Sequence, residues 1–414
     1  MTSIPKTAWG WPIKFPDDHI DVDVLEQARQ EVDDVGDAAY ETLSKLCESN
    51  DVDILAKKFN QLIADLTLNN RQSLNDPSLE QLRKQICITP EWLDWKTLNH
   101  GQLVFIKHSQ SAAMGLLYFS LIGGFSAPKI VKVLDSTGYL TKSSRDATWR
   151  RLNETFYMVV ECLQPHSLLV GQEGWLSVLR VRLLHSKARK GILSRNKNSS
   201  SSSHFDTTLY GQPINQEDMM ATLLSFSINV IATIERIGSP YVLSSYDKQA
   251  YLHLWRYIGH VIGVNDKYNM CYDEVKARGA IESIVLHLLH PDCNSSLVAS
   301  KVIHAVALRP PLRWSDRCHN QAARMLVGGA LGDALNLKID YICYIYLLIV
   351  FCGMCLMSWF IAPFITYDSK YADRIRSLLR LHVRSVLKAN KEGNEQGSFS
   401  GKEKQKLKEK VKKS

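Results

Sequence analysis

The 414-residue sequence predicts an all-α protein. Three observations carry this. Apolar residues recur with a 3.6-residue period in segment after segment, alternation of strand type is almost absent, and prolines and glycines fall between the periodic stretches. Taken in order, helical patterns occupy 24–48, 51–68, 103–122, 144–163, 174–191, 216–237, 246–263, 272–289, 296–307 and 315–335. Leu55, Phe59, Leu62 and Leu66 share one side of the second. The largely apolar third ends at Gly123-Gly124, and Asn215 with Glu217 and Asp218 supplies a cap and first-turn acids for 216–237. Pro128, Pro165, Gly211-x-Pro213, Pro240, Pro291 and Pro310-Pro311 mark boundaries. "SRNKNSSSSSHFD" (194–206) reads as a polar low-complexity loop, and no internal repeat is visible.

Composition bounds the class. With 45% hydrophobic and 22% charged residues the chain can bury a sizeable core. The length allows two or three domains, yet no Pro/Gly-rich linker divides the middle. Nine cysteines show no disulfide or zinc spacing, and Cys352-x-x-Cys355 sits inside an apolar run, so a reduced, intracellular protein is expected. The N-terminal stretch lacks the apolar core of a secretory signal. The net charge of +8 is concentrated: residues 368–414 carry fourteen Lys/Arg against six Asp/Glu, so the rest is near neutral. A nucleic-acid-binding body would need a basic patch on the fold, and that partner is excluded. The tail reads as solvated, disordered or frayed, with attraction to anionic lipid as its functional reading.

Residues 341–365 are 25 uncharged, mostly apolar residues with aromatics toward both ends. About 20 residues suffice to cross a bilayer, so membrane insertion is expected. The basic tail and the main body both belong on the cytosolic side only if this segment re-enters or lies shallowly, with Gly353 and Pro363 as bends.

The stretch with the most chemistry is "RVRLLHSKAR" (180–189). Arg182, His185 and Arg189 fall at i, i+3 and i+7, on one helix face. Cationic neighbours push a histidine toward the neutral form, which is the form that binds a metal. The plain alternative is a partly buried histidine on an amphipathic helix. In the 144–163 helix, Arg151, Glu154, Thr155, Met158 and Cys162 form a stripe that is polar at its start. It faces either a cavity or solvent, the latter with an ordinary Arg/Glu pair. His253/His260 and His287-x-x-His290 lack the Glu-x-x-His pairs of di-iron bundles, so a non-haem metalloenzyme is the weaker metal reading.

Four segments in order, "RVRLLHSKAR" (180–189), "GQPINQEDMMATLLSFS" (211–227), "HLWRYIGHVIGV" (253–264) and "LRPPLRWSDRCHNQAARMLVGGALGDALNL" (308–337), resemble the MpaB-type ER-bound oxygenases, of one superfamily with the latex-clearing rubber oxygenases. The resemblance spans about 97–337. It divides the chain into an N-terminal helical extension (1–96), a catalytic domain (97–337), a membrane segment (338–366) and a basic tail (367–414). It implies a globin-like helical fold holding haem b, membrane localisation at the endoplasmic reticulum, and cleavage of a carbon–carbon double bond in an isoprenoid-type lipophilic substrate, with O2 taken at the iron opposite the proximal histidine. That histidine falls on His185, and helical phase offers Arg182 and Arg189 to the propionates. The family's distal Arg-x-x-Lys-Thr matches at Arg151 and Thr155, while Glu154 stands at the lysine position. Its further upstream acid aligns with Asp135, otherwise a turn residue before Gly138. Glu154 puts lysine-capped resting chemistry in doubt and keeps a third reading open, a non-catalytic membrane-tethered lipid-binding protein of the same fold.

Overall fold

The structure, a computed structural model, describes residues 5–68, 72–138, 144–198, 205–238, 242–360, 365 and 370–388. The end of the tail, Pro240, Pro363 and part of the 194–206 loop lie outside them. The all-α expectation holds. Among the described residues the one sheet is a two-stranded hairpin, Thr7–Ala8 against Trp11–Pro12. The helices are α1 (Val22–Gln30), α2 (Asp34–Leu46), α3 (Val52–Leu68), α4 (Pro77–Ile86), α5 (Trp95–Lys107), α6 (Ser109–Met114), α7 (Pro128–Thr137), α8 (Arg145–Cys162), α9 (Glu173–Asn198), α10 (Thr207–Tyr210), α11 (Gln216–Phe226), α12 (Ile228–Gly238), α13 (Ser245–Ile262), α14 (Glu274–Leu288), α15 (Cys293–Val306), α16 (Asp316–Val327), α17 (Gly329–Ala334) and α18 (Tyr341–Phe360).

Local chemistry explains the starts. Asp33, Asp76, Asp94, Ser144, Asn215, Ser244, Asp273, Asp292 and Ser315 each accept a first-turn backbone N–H, satisfying donors that have no intrahelical partner. Two predicted helices are broken. The 24–48 pattern divides into α1 and α2 where Asp33 caps the second helix. The 216–237 pattern breaks at Ser227, whose hydroxyl turns back to the Leu223 carbonyl at 2.8 Å. The 103–122 stretch passes from α5 and α6 into a π-helix, Gly115–Ile122. α12 approaches it so closely that a Cβ on Gly115 would lie 2.8 Å from Thr233 Oγ1.

The boundary at residue 96 is not a physical one. Leu25, Tyr40, Leu43, Leu55, Phe59 and Leu82 share one apolar core with Trp175, Leu179, Leu183 and Leu254. Buried charge pairs reinforce the junction: Arg29 Nη1 donates to Glu217 Oε2 at 2.8 Å and to Asp218 Oδ1 at 3.3 Å. A second core gathers Tyr118, Phe125, Val302, Trp314, Leu326, Leu347 and Met354.

The C-terminal part departs further from expectation. Cys343 at the start of α18 is disulfide-bonded to Cys318 of α16, which corrects the reading of nine reduced cysteines. Spacing could not show it, because the fold and not the sequence brings the two together. The tail does not begin as a solvated arm: residues 370–388 are helical and dock on α8. Arg380 meets the fully buried Glu161 through two 2.7 Å hydrogen bonds, and Arg384 adds a third at 3.3 Å.

Candidate functional site: the two flanks of α9

α9 is fixed by its apolar side first. Trp175, Val178, Leu179 and Leu183 are completely buried against α3, α8 and α13. Its two central arginines are then consumed by the N-terminal helices. Arg182 is fully buried and grips Asp33 through Nε and Nη2, both at 2.7 Å, and also donates to Gln85 Oε1 and the Val261 carbonyl. The fork geometry of guanidinium and carboxylate makes this a strong pairing. Gly263, at φ +96°, closes over it, since a Cβ there would fall 2.4 Å from Asp33 Oδ2. Arg189 donates to Asp37 and to the carbonyls of Pro213 and Ile214. The expectation that these two arginines wait for propionates is therefore corrected. Their donors already satisfy buried acids and carbonyls, and withdrawing them would strand those groups.

His185 differs. It is half-buried, its Nδ1 is enclosed without a partner, and neither ring nitrogen makes a hydrogen bond among the described residues. Most other described histidines are engaged. His100 meets Asp247 at 2.7 Å, His253 accepts from the Asp94 N–H at 3.0 Å, His260 reaches the Gln85 carbonyl at 2.8 Å, and His319 Nδ1 meets the Tyr118 hydroxyl at 2.7 Å. Burial lowers the His185 pKa to about 4, with the Arg189 charge adding to the shift and Asp33 opposing it. The neutral form is as expected, but desolvation rather than the cationic neighbours leads the shift. The ring thus offers an unprotonated, unpaired nitrogen, the donor that a haem iron takes. Seven residues on, Ile192 packs with Val133 of α7 and Phe205, so α7 borders the same flank.

α8 lies alongside α9. Its stripe is split. Met158 and Cys162 are buried in the core, whereas Glu154 and Thr155 are exposed and Arg151 is half-buried. Glu154 pairs with Arg150 Nε at 2.8 Å, and the Thr155 hydroxyl donates to the Arg151 carbonyl at 3.2 Å. Of the two readings left open for this stripe, solvent holds for Glu154 and Thr155, while the helix turns its later positions into the core. Asp135 occupies the last turn of α7, with its carbonyl accepting from Gly138 at 2.9 Å. It lines a cavity of about 210 Å³ with Lys132, Tyr210, Asp292 and Lys301. Among the described residues no group of three or more His, Cys, Asp or Glu is arranged to hold a metal ion. His287 is taken by Glu217 at 2.5 Å and Glu26 at 2.9 Å.

Sequence reasoning missed the residues that hold this flank in place. Asp33 lies 149 positions from Arg182, and nothing local in "QEVDDVGD" marks it as a partner rather than a cap.

Fold and site together define an all-α protein in which His185, half-buried on α9, makes no hydrogen bond among the described residues. Residues 107–342 match the family described as ER-bound oxygenase mpaB/B'/Rubber oxygenase, catalytic domain, and the chain belongs to that family. It is 25% identical over 260 residues to the Rubber oxygenase of Streptomyces sp. (strain K30), covering 60% of this chain and 58% of that protein. The chain thus spans a little over half the length of this curated relative. Among solved structures it resembles that of Latex Clearing Protein LCP in the closed state, with a TM-score of 0.56 at 15% identity, over 90% of this chain and 94% of the other. That likeness is one of fold.

Proposed function

We propose that the protein is a haem b-dependent oxygenase that cleaves a carbon–carbon double bond in a prenyl or polyprenyl chain, giving two carbonyl fragments with one atom of O2 in each. Family membership supports the reaction class, and the single observation that carries the cofactor is His185. His185 would hold the iron, and haem supplies the oxygen chemistry when bound.

The chain's own residues do the rest. The Arg182–Asp33 and Arg189–Asp37 pairs fix α9 so that His185 is presented from a rigid element. Burial keeps its lone pair free of a proton across the physiological range. Arg151 and Thr155, on the accessible start of the neighbouring helix, are the proposed polar handles for the reacting end of the substrate. Glu154, paired with Arg150, places an acid where the rubber-type pattern has a cation. Asp135 is proposed as the more distant acid, reached through the cavity beside α7.

The test is turnover of short polyprenyl oligomers by haem-loaded protein, read as O2 consumed and as carbonyl products trapped with a hydrazine. Wild type is expected to consume one O2 per bond broken, and His185→Ala to lose turnover. Truncating Arg151 or Thr155 should slow it on the order of 10²-fold, the loss typical of one positioned polar group. Haem-loaded wild type that consumes no O2 with any oligomer contradicts the proposal.

A further inference from the structure

α18 is an apolar helix of 20 residues with no charge, and it is covered on one side only. Cys343, Leu347, Met354 and Ser358 turn inward against α12 and α16. Ile342, Ile345, Ile349, Leu356 and Phe360 turn outward, with Ile345 62% and Ile349 68% exposed. Single exposed apolar side chains are ordinary, but an uninterrupted stripe of this length marks a docking surface.

The inward side is fastened along its whole length. At one end stand the Cys318–Cys343 disulfide and Asp340, which accepts from the Cys343 N–H at 2.9 Å. At the other, Trp359 Nε1 donates to the Gly238 carbonyl at 2.8 Å and Ser358 lies 3.3 Å from His108 Nδ1. α18 therefore cannot cross a bilayer unless α12 and α16 enter with it. Those helices bring Glu235, Arg236, Asp316, Arg317 and Arg324. Charges at bilayer depth are costly, so spanning is disfavoured.

The surroundings of the stripe suit a lipid surface. Tyr341, Tyr344 and Tyr346 stand at one end and Trp359 at the other, the amphipathic rings that settle at headgroup level. The Trp314 Nε1–Tyr346 hydroxyl contact at 3.2 Å joins the first end to the exposed 308–313 loop, which adds Leu308, Leu312 and Arg313. Lys338 is exposed just before the helix. Beyond the described residues, 389–414 adds eight lysines against four glutamates, complementary to anionic headgroups.

We propose that the outward face of α18 docks side-on into one leaflet of an anionic bilayer, the helix lying in the interface plane with the whole body on one side. This takes the shallow placement among the readings left open for residues 338–366 and stands independently of the haem reading. It also removes the conflict over topology, because a helix that does not cross leaves body and tail on the same side.

The test uses the purified full chain and phosphatidylcholine vesicles with about one-third phosphatidylserine. Wild type is expected to float with the vesicles. Ile345→Glu with Ile349→Glu should lower the bound fraction at least about tenfold, with unchanged circular dichroism and elution volume. A milder pair, Ile345→Ser with Ile349→Ser, should weaken binding in the same direction and guards against a folding artefact. On microsomes, protease should treat epitopes at the two termini alike. Three results would overturn the proposal: equal flotation of the glutamate variant, one terminus protected and the other cleaved, or a wild-type dimer that those substitutions dissociate while vesicles bind neither form.

Discussion

Two flanks of one helix invite comparison. On the flank of α9 that meets the N-terminal helices, every charge has an answer: Arg182 has Asp33, Arg189 has Asp37, and the remaining donors reach carbonyls. On the flank it shares with Ile192, which packs on α7, a histidine one turn from each arginine makes no hydrogen bond among the described residues. The two flanks share a helix and a sequence motif but not a degree of burial, since both arginines are fully buried and His185 is half-buried. A protein interior rarely leaves a polar atom unmatched, because the cost of desolvation is not recovered. At His185 the unmatched atom is an imidazole nitrogen able to ligate iron, and the proposal rests on that chemistry.

The sharpest way to break the comparison is to unbalance the matched flank. Asp33→Ala leaves Arg182 buried and uncompensated, and should destabilise the fold by about 3–5 kcal/mol in urea titrations. His185→Leu, which breaks no hydrogen bond, should cost less than about 1 kcal/mol. Equal losses would mean that both flanks are structural.

A smaller effect is expected where the C-terminal helix closes on α8. Glu161→Gln weakens the bonds to the partly exposed Arg380 and Arg384, costing about 1–3 kcal/mol and opening residues 370–388 to limited trypsin digestion. Unaltered digestion would show that Ala372, Ile375 and Leu379 suffice to hold the helix.

Acid titration sharpens the contrast further. The folded pKa of His185 lies below its unfolded value, so as pH falls the unfolded chain takes up the proton first. The stability tied to this group is complete above the unfolded pKa and declines from about pH 6.5 to about pH 4. His108 and His319 decline in the same window. The difference between wild type and His185→Leu therefore isolates one group: the variant should gain relative stability at pH 4.5 over pH 7.5 by about 1 kcal/mol or more. A pH-independent difference would mean that His185 takes up its proton as readily in the fold as in the unfolded chain. The smallest effect belongs to Glu154→Gln, which removes an exposed i,i+4 pair and should change stability by less than about 0.5 kcal/mol.

What the sequence disclosed follows the range of the interactions involved. Helices set by local periodicity and caps were legible, to within a residue or two for Arg145–Cys162 and Ser245–Ile262. Pro77–Ile86 and Pro128–Thr137 were missed, being only ten residues long each. His185 was legible as a candidate because its neighbours are local. The use of Arg182 was not, since its partner stands 149 residues away. The same limit hid the Cys318–Cys343 bridge, the docking of residues 370–388 through Glu161, and the one-sided covering of α18. In each case the sequence showed a group capable of pairing, and only the fold showed whether it was paired.

The central claim is that His185 is left unmatched in order to take haem iron, and stoichiometric haem titration of the purified chain tests it most directly. Wild type should develop a saturable Soret band at one haem per chain that shifts on dithionite reduction. His185→Ala, with the same far-ultraviolet circular dichroism, should lose most of that band. A His185→Ala protein that binds one haem with an unchanged spectrum would contradict the account.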